Sequence, residues 1–278
     1  MVALLKPLLA LVAVVAGAAA PAAAAAAAIK WQALEPGLEY AELASPIRAS
    51  AGDSLIRVLR LDPTRFGLDL FNASAAPDAA SHTAREWAQA NGLVAAINAS
   101  LYQTDYRTSV SLMKTRRHVN NPRLSKHNAV LLFDRLDAAV PPLQIVDRTC
   151  RDLAPVQRNY GAAVQSIRMI SCHRANVWGQ DERTWSSAAV GVDRQGRLLL
   201  IHMRAPLSTH DLADALLALP LDLHETMYVE GGPEAQLYVN AGGREIEVVG
   251  SHGSSGFTAI ENAAALPIPN VLGVRRLP

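Results

Sequence analysis

Apolar and polar positions alternate with a period of two in several short runs, as they do in half-buried strands. Residues 38–45 and 54–61 alternate in this way around the turn Ala51-Gly52-Asp53, and 66–71 continue the pattern. Residues 128–133, 162–170 and 188–192 are further predicted strands. Arg194-Gln195-Gly196 makes a tight turn from the last of these into 198–203, which predicts a hairpin. Helical spacing is confined to two places. Thr83-Ala84-Arg85-Glu86 has the form of a capping box, followed by Trp87, Ala88, Ala90 and the stop Asn91-Gly92. The chain then enters an apolar strand, 93–97, with Asn98 at its carboxyl end. Ser208-Thr209-His210-Asp211 is a second capping box; Leu212, Ala215, Leu216 and Leu219 supply the apolar face of a helix that Pro220 ends. With many strands and two helices, hairpins outweigh crossovers. The expected fold is α+β: a single domain of mixed, mainly antiparallel sheet with a few flanking helices.

The first 28 residues break this pattern. Lys6, an apolar run over 8–18 and the alanine tract 22–28 read as a signal peptide cleaved near Ala28, leaving a domain over 29–278 in a periplasmic or extracellular space. An uncleaved anchor is the competing reading, because 8–28 is long enough to span a bilayer; Pro21 and the weak hydrophobicity of alanine argue against it. The first cysteine is Cys150, so a lipidated N terminus at the signal is excluded. Lys6 is the only charged residue of that segment, and its removal takes the 26 basic residues to 25, equal to the 25 acidic ones. A neutral chain has no global field for nucleic acid or an acidic membrane, so any anion recognition is local. With 50% hydrophobic and 18% charged residues it should fold as a soluble globule, without stable membrane insertion after cleavage.

Tyr228-Val229-Glu230-Gly231-Gly232-Pro233-Glu234-Ala235-Gln236-Leu237-Tyr238-Val239 places an acid and a glycine pair between two strand-like runs. Glu230 therefore stands at a strand end, where the sheet fixes a carboxylate and the following loop admits a ligand. Gly231 and Gly232 add close backbone approach and exposed amides suited to a sugar or a phosphate. A plain turn with a solvated glutamate is the alternative. Between Arg107 and His127 the chain gathers Arg107, Lys114, Arg116, Arg117, His118, Arg123, Lys126 and His127 without an acid. Lys114 and Arg116 are the candidates there for holding a phosphate, against an exposed basic loop. Arg168 lies in an apolar run and needs either an acid or a cleft; Gln165 and Ser166 beside it offer contacts to hydroxyls. Cys150 and Cys172 are an even pair that an oxidising compartment would allow to bond. The histidines lack zinc spacing, and no cofactor is expected; a hard cation such as calcium on Glu230, Asn98 and backbone oxygens is conceivable. Gly250-Ser251-His252-Gly253-Ser254-Ser255-Gly256 reads as a surface loop.

The segment YVEGGPEAQLYV resembles the Asp-Gly-Gly signature of the phosphodiester glycosidase family, which includes the lysosomal enzyme that uncovers a sugar phosphate by removing N-acetylglucosamine. AAINASLY (95–102) resembles the family's Asn-Gly-Gly-Phe-Phe stretch, SAAVGVDRQGRLLLIH (187–202) its Arg-Thr-Ala-Ile-Gly strand and turn, and IPNVLGV (268–274) its closing strand. Glu230 replaces the usual aspartate, Ala99-Ser100 a glycine pair, and Trp185, Ser186 and Ser187 stand where an arginine is expected; Arg183 or Arg168 would then supply the charge. These departures mark a divergent, bacterial-type branch. The resemblance implies a carbohydrate or sugar-phosphate ligand and catalysis by Glu230 and Asn98, with Glu234 a possible partner acid. Because a departing phosphate monoester needs no proton, Glu230 is expected as base or nucleophile. Two functions follow: an exported hydrolase cleaving a sugar 1-phosphodiester in envelope or extracellular glycans, or a non-catalytic glycan-binding protein on the same fold.

Overall fold

A computed structural model describes residues 28–251 and 264–278. The predicted signal segment before Ala28, and His252 to Gly256 of the glycine-rich loop, lie outside these residues. The elements in chain order are β1 (Gln32–Glu35), β2 (Leu38–Ala44), β3 (Leu55–Leu61), β4 (Phe66–Asn72), α1 (Ala84–Ala90), β5 (Ala95–Asn98), β6 (Met113–Lys114), β7 (Val119–Asn121), β8 (Ala129–Arg135) and β9 (Gln144–Asp147). They continue with α2 (Leu153–Gln157), β10 (Tyr160–Ile170), β11 (Trp185–Asp193), β12 (Leu198–Leu207), α3 (Thr209–Ala218), β13 (Leu223–Gly231), β14 (Gln236–Ala241), β15 (Arg244–Val249) and β16 (Asn270–Arg276).

The strands form two sheets, an α+β fold in which the described strand pairings are antiparallel. The larger has 11 strands along the path β1-β2-β3-β12-β11-β13-β10-β6-β7, with β8 and β9 branching from β10; the smaller runs β15-β14-β5-β16-β4. Alternation explains how they stack. One face of each sheet meets in a common core where Leu59, Leu61, Val164, Val190 and Val229 pack with Leu68, Ile97, Leu237, Val239 and Leu272. The outer face of the large sheet is covered by α3, whose Leu212, Ala215 and Leu216 pack on Ile201, Met203 and Tyr228, and by α2 through Leu153 and Val156. The outer face of the small sheet is covered by α1 through Ala84, Trp87 and Ala88.

The predicted caps form. Thr83 accepts from the Glu86 amide and Glu86 returns a bond to the Thr83 amide, closing both halves of the box. Ser208 accepts from the Asp211 amide at 3.0 Å, but Asp211 is one methylene shorter than the glutamate that would complete the second box. No helix among the described residues is long and apolar enough to cross a membrane. Cys150 and Cys172 are bonded, with their Cα atoms 6.6 Å apart.

Candidate functional site

Strand β13 delivers the acid. Met227 and Val229 point into the inter-sheet core and Tyr228 to the opposite face, where it joins α3. The register with β11 shifts between Ala188, which faces Glu230, and Ala189, which faces Tyr228. A bulge of this kind bends a strand and re-aims its side chains. Glu230 emerges there with only 9% of its surface exposed. Its Oε1 accepts from the Gly231 amide at 3.0 Å. Burial pushes its carboxyl up to about 8, against the pull of the Gly231 amide and with added repulsion from Glu234. At neutral pH the unliganded Glu230 therefore holds its proton.

The glycine pair is required by packing and by turn geometry. A Cβ on Gly231 would lie 1.9 Å from the Tyr228 hydroxyl and 2.7 Å from Trp185, so a methyl group has no room. Gly232 sits at φ +68° and opens the one-turn 3-10 helix Gly232–Glu234. That turn carries the chain from the large sheet to the small one. Asn98, at the end of β5, clamps it: Nδ2 donates to the Glu234 carbonyl at 2.8 Å and Oδ1 accepts from the Gln236 amide at 2.8 Å. On the other side His202, fully buried and held neutral with its ring pushed down to about 4, bonds through Nε2 to the Ala235 carbonyl at 3.1 Å. Glu234 is half-buried rather than turned to solvent.

Aromatic rings surround this acid. Tyr102 feels the charges of Glu234 and Glu230, and burial first, then those charges, hold its hydroxyl in the protonated state. Tyr106 lies 5.7 Å from Tyr102 between ring centroids, and Trp178 lies 5.2 Å from Tyr228. The chain has 14 aromatic residues in 278, and five of them, Tyr102, Tyr106, Trp178, Trp185 and Tyr228, gather here. Beside Gly231, Trp185 interacts with the Tyr228 hydroxyl, and the buried Oγ of Ser187 has no hydrogen-bond partner among the described residues. Flat amphipathic rings with a few convergent polar groups suit a sugar. The guanidinium of Arg183 stands 5.5 Å from the Trp185 ring centroid and is paired with Asp181.

Several predicted substrate contacts are occupied elsewhere. Arg168 Nη1 donates to both carboxylate oxygens of Asp147 at 2.7 Å, an ion pair with a carboxylate that is 1% exposed; of its two sequence readings the structure has the ion pair. Arg116 is paired with Asp134 at 2.7 Å, and Lys114 lies on the short strand β6, opposite Ala163 of β10. Gln165 is fully buried, and its amide is spent on backbone: Oε1 accepts from Leu112 and Ser125, and Nε2 donates to Ser125 and His127. Arg107 donates to the Ala79 carbonyl and His118 pairs with Ser74, so much of the basic run fastens loops. Among the described residues no trio of His, Cys, Asp or Glu ligand atoms gathers at Glu230. The aromatic wall is not evident from the strand and helix pattern. Tyr102 and Tyr106 sit just after Asn98, and a tyrosine pair in an aromatic-poor chain was the available signal.

No curated protein sequence matches the chain. Its fold is similar to the zebrafish N-acetylglucosamine-1-phosphodiester alpha-N-acetylglucosaminidase catalytic domain auto-inhibited by pro-peptide, with a TM-score of 0.62 and 13% identity over 90% of this chain and 86% of that one. A hypothetical protein from Synechocystis is similar with a TM-score of 0.59 and 13% identity, over 90% of this chain and 64% of the other. At such identities the likeness shows the fold alone. The family model described as phosphodiester glycosidase matches residues 91–275, a span holding Asn98, the aromatic wall and Glu230, and the chain belongs to that family.

Proposed function

We propose that the protein is an exported hydrolase that cleaves the bond between an anomeric carbon and a phosphodiester oxygen in envelope or extracellular glycans. Residues 1–28 are the export signal in this reading and 29–278 the catalytic domain. The observation that carries it is a buried carboxyl, neutral at pH 7, at a strand end beside the rings of Tyr102, Trp185 and Tyr228. Glu230 then acts as a proton donor to the departing oxygen, in place of the base or nucleophile expected from the leaving group alone. Glu234, four residues on and half-buried on the same turn, is the second carboxylate of the pair. Asn98 acts through that turn as a positioning residue, since both ends of its amide are engaged. The rings of Tyr102, Trp185 and Tyr228 pack the sugar, and Arg183 faces the phosphate.

The test is turnover of nucleotide sugars and aryl sugar phosphodiesters by the purified chain, beside Glu230→Gln. The parent should turn over, its rate falling as pH rises through about 8, where the donor is lost. The variant should lose roughly 100-fold or more in kcat. Tight glycan binding without turnover would select the non-catalytic glycan-binding alternative.

A further inference from the structure

We propose that Cys150, Cys172 and His173 form a zinc-type metal site that opens when the disulfide between the two cysteines is reduced. The cluster stands apart from Glu230 and does not depend on its reading. It borders the far end of β13 near Glu225, five residues from Glu230 and on the order of 17 Å away along the strand.

The ligand atoms are already together. Sγ of Cys150, Sγ of Cys172 and a ring nitrogen of His173 lie within 4.8 Å of one another, and Cys150 Sγ is 3.8 Å from His173 Nε2. A tetrahedral zinc ion with Zn–S near 2.3 Å and Zn–N near 2.0–2.1 Å needs ligand atoms roughly 3.5–3.8 Å apart. Rotation of the two cysteine side chains covers the difference. Two thiolates and one imidazole are the donor set that soft and borderline divalent ions prefer.

What holds these residues in place is largely independent of the sulfur–sulfur bond. Asp147 is the hub: its carboxylate accepts from Arg168, from Thr149 and from the Cys172 amide at 3.2 Å, while its carbonyl accepts from the Cys150 amide at 3.0 Å. The turn presenting Cys172 and His173 is closed by the Arg174 amide on the Ser171 carbonyl at 2.8 Å and by the Ala175 amide on Ser171 Oγ. Both cysteine backbones are therefore fastened before and after reduction. Cys150 and His173 are exposed and Cys172 half-buried, so a reductant and an ion can reach them. A cavity of about 620 Å³, lined by both cysteines, Asp147, Arg151, His224 and Glu225, adjoins the trio. It leaves room for water or another oxygen ligand at the fourth coordination position.

The chemistry balances with a thiol reductant. Two thiol molecules deliver two electrons and two protons to the Cys150–Cys172 bond, which opens to two thiols as the reductant becomes its own disulfide. Zinc then displaces the two thiol protons and takes the lone pair of neutral His173.

The experiment uses the full chain, oxidised or reduced with 2-mercaptoethanol and desalted without oxygen, then titrated with Co(II) and competed with Zn(II). Reduced protein should take one Co(II) per chain, with thiolate-to-cobalt charge-transfer bands and tetrahedral d–d bands that zinc erases; oxidised protein should show neither. His173→Ala should keep the thiolate bands and bind at least roughly tenfold more weakly. A Cys150→Ser, Cys172→Ser double variant should lose the bands. The proposal is overturned if reduced parent gives no more charge-transfer intensity than that double variant, or if His173→Ala binds as tightly as the parent. Loss of native circular dichroism on reduction also overturns it, because the ligands stay together only on a scaffold that survives reduction.

Discussion

The raised carboxyl of Glu230 makes the protein's stability depend on pH in a way that one substitution isolates. In the unfolded chain a glutamate ionises near 4.5, and in the folded chain this one ionises near 8. Between those values the unfolded state sheds a proton that the folded state keeps, so stability is fully present below about 4.5 and is lost progressively as pH rises to about 8. One unit is worth about 1.4 kcal/mol, so the folded protein gives up about 3 kcal/mol at pH 7. Glu230→Gln removes the ionisation but keeps the shape and the oxygen that accepts from the Gly231 amide. The variant should therefore be more stable than its parent by about 3 kcal/mol at pH 7, seen as a melting temperature higher by roughly 6–12 °C for a domain of this size. At pH 4 the two should melt together. The assay is a pair of thermal or urea unfolding series from pH 4 to 8, in which other titrating groups cancel between parent and variant. Equal stabilities at pH 7, or a gap that persists at pH 4, would refute the reasoning. The same variant is expected to be inactive, so gain of stability and loss of turnover should appear together.

Three further outcomes follow from the geometry. Asn98→Ala removes two buried hydrogen bonds to the turn and strands the Gln236 amide; it should cost about 2–4 kcal/mol in urea unfolding and lower kcat more than it alters KM. Arg168→Ala leaves the buried Asp147 carboxylate without its cation and should cost about 3–5 kcal/mol, while the folded fraction retains the parent KM; a KM raised tenfold would restore Arg168 to the site. Gly231→Ala forces a methyl into Tyr228 and Trp185 and should cost about 1–3 kcal/mol with loss of turnover, measured by unfolding and by assay on aryl sugar phosphodiesters.

Much of the fold was legible because its signals are local. The alternation over β2, β3 and β4, the hairpin turn at Gly196 and both helix starts are written within a few residues of where they act. The division into two sheets was not legible. β5 and β16 pair across more than 170 residues, and nothing in either strand states its partner. The short strands β6 and β7 have too few positions to show a period. At the site, Glu230 stood out because a strand, an acid and two glycines are contiguous. For Arg168, Arg116 and Gln165 the sequence left the choice between a ligand and a structural partner open, because charge and polarity do not reveal whether a partner is waiting; Asp147, Asp134 and the backbone of 112–127 are those partners. The aromatic wall comes from four separate segments, so only the folded chain assembles it.

The order of the smaller sheet carries a consequence for synthesis. β16 lies between β5 and β4, so while the ribosome is still making residues 270–276 those two strands face each other across a slot roughly 10 Å wide with their inner edges bare. Asn98, whose clamp steadies the Glu230 turn, sits on one wall of that slot. A nascent chain therefore stays sticky and unfinished until β16 arrives, and truncation before Asn270 should yield aggregates rather than a weakened protein.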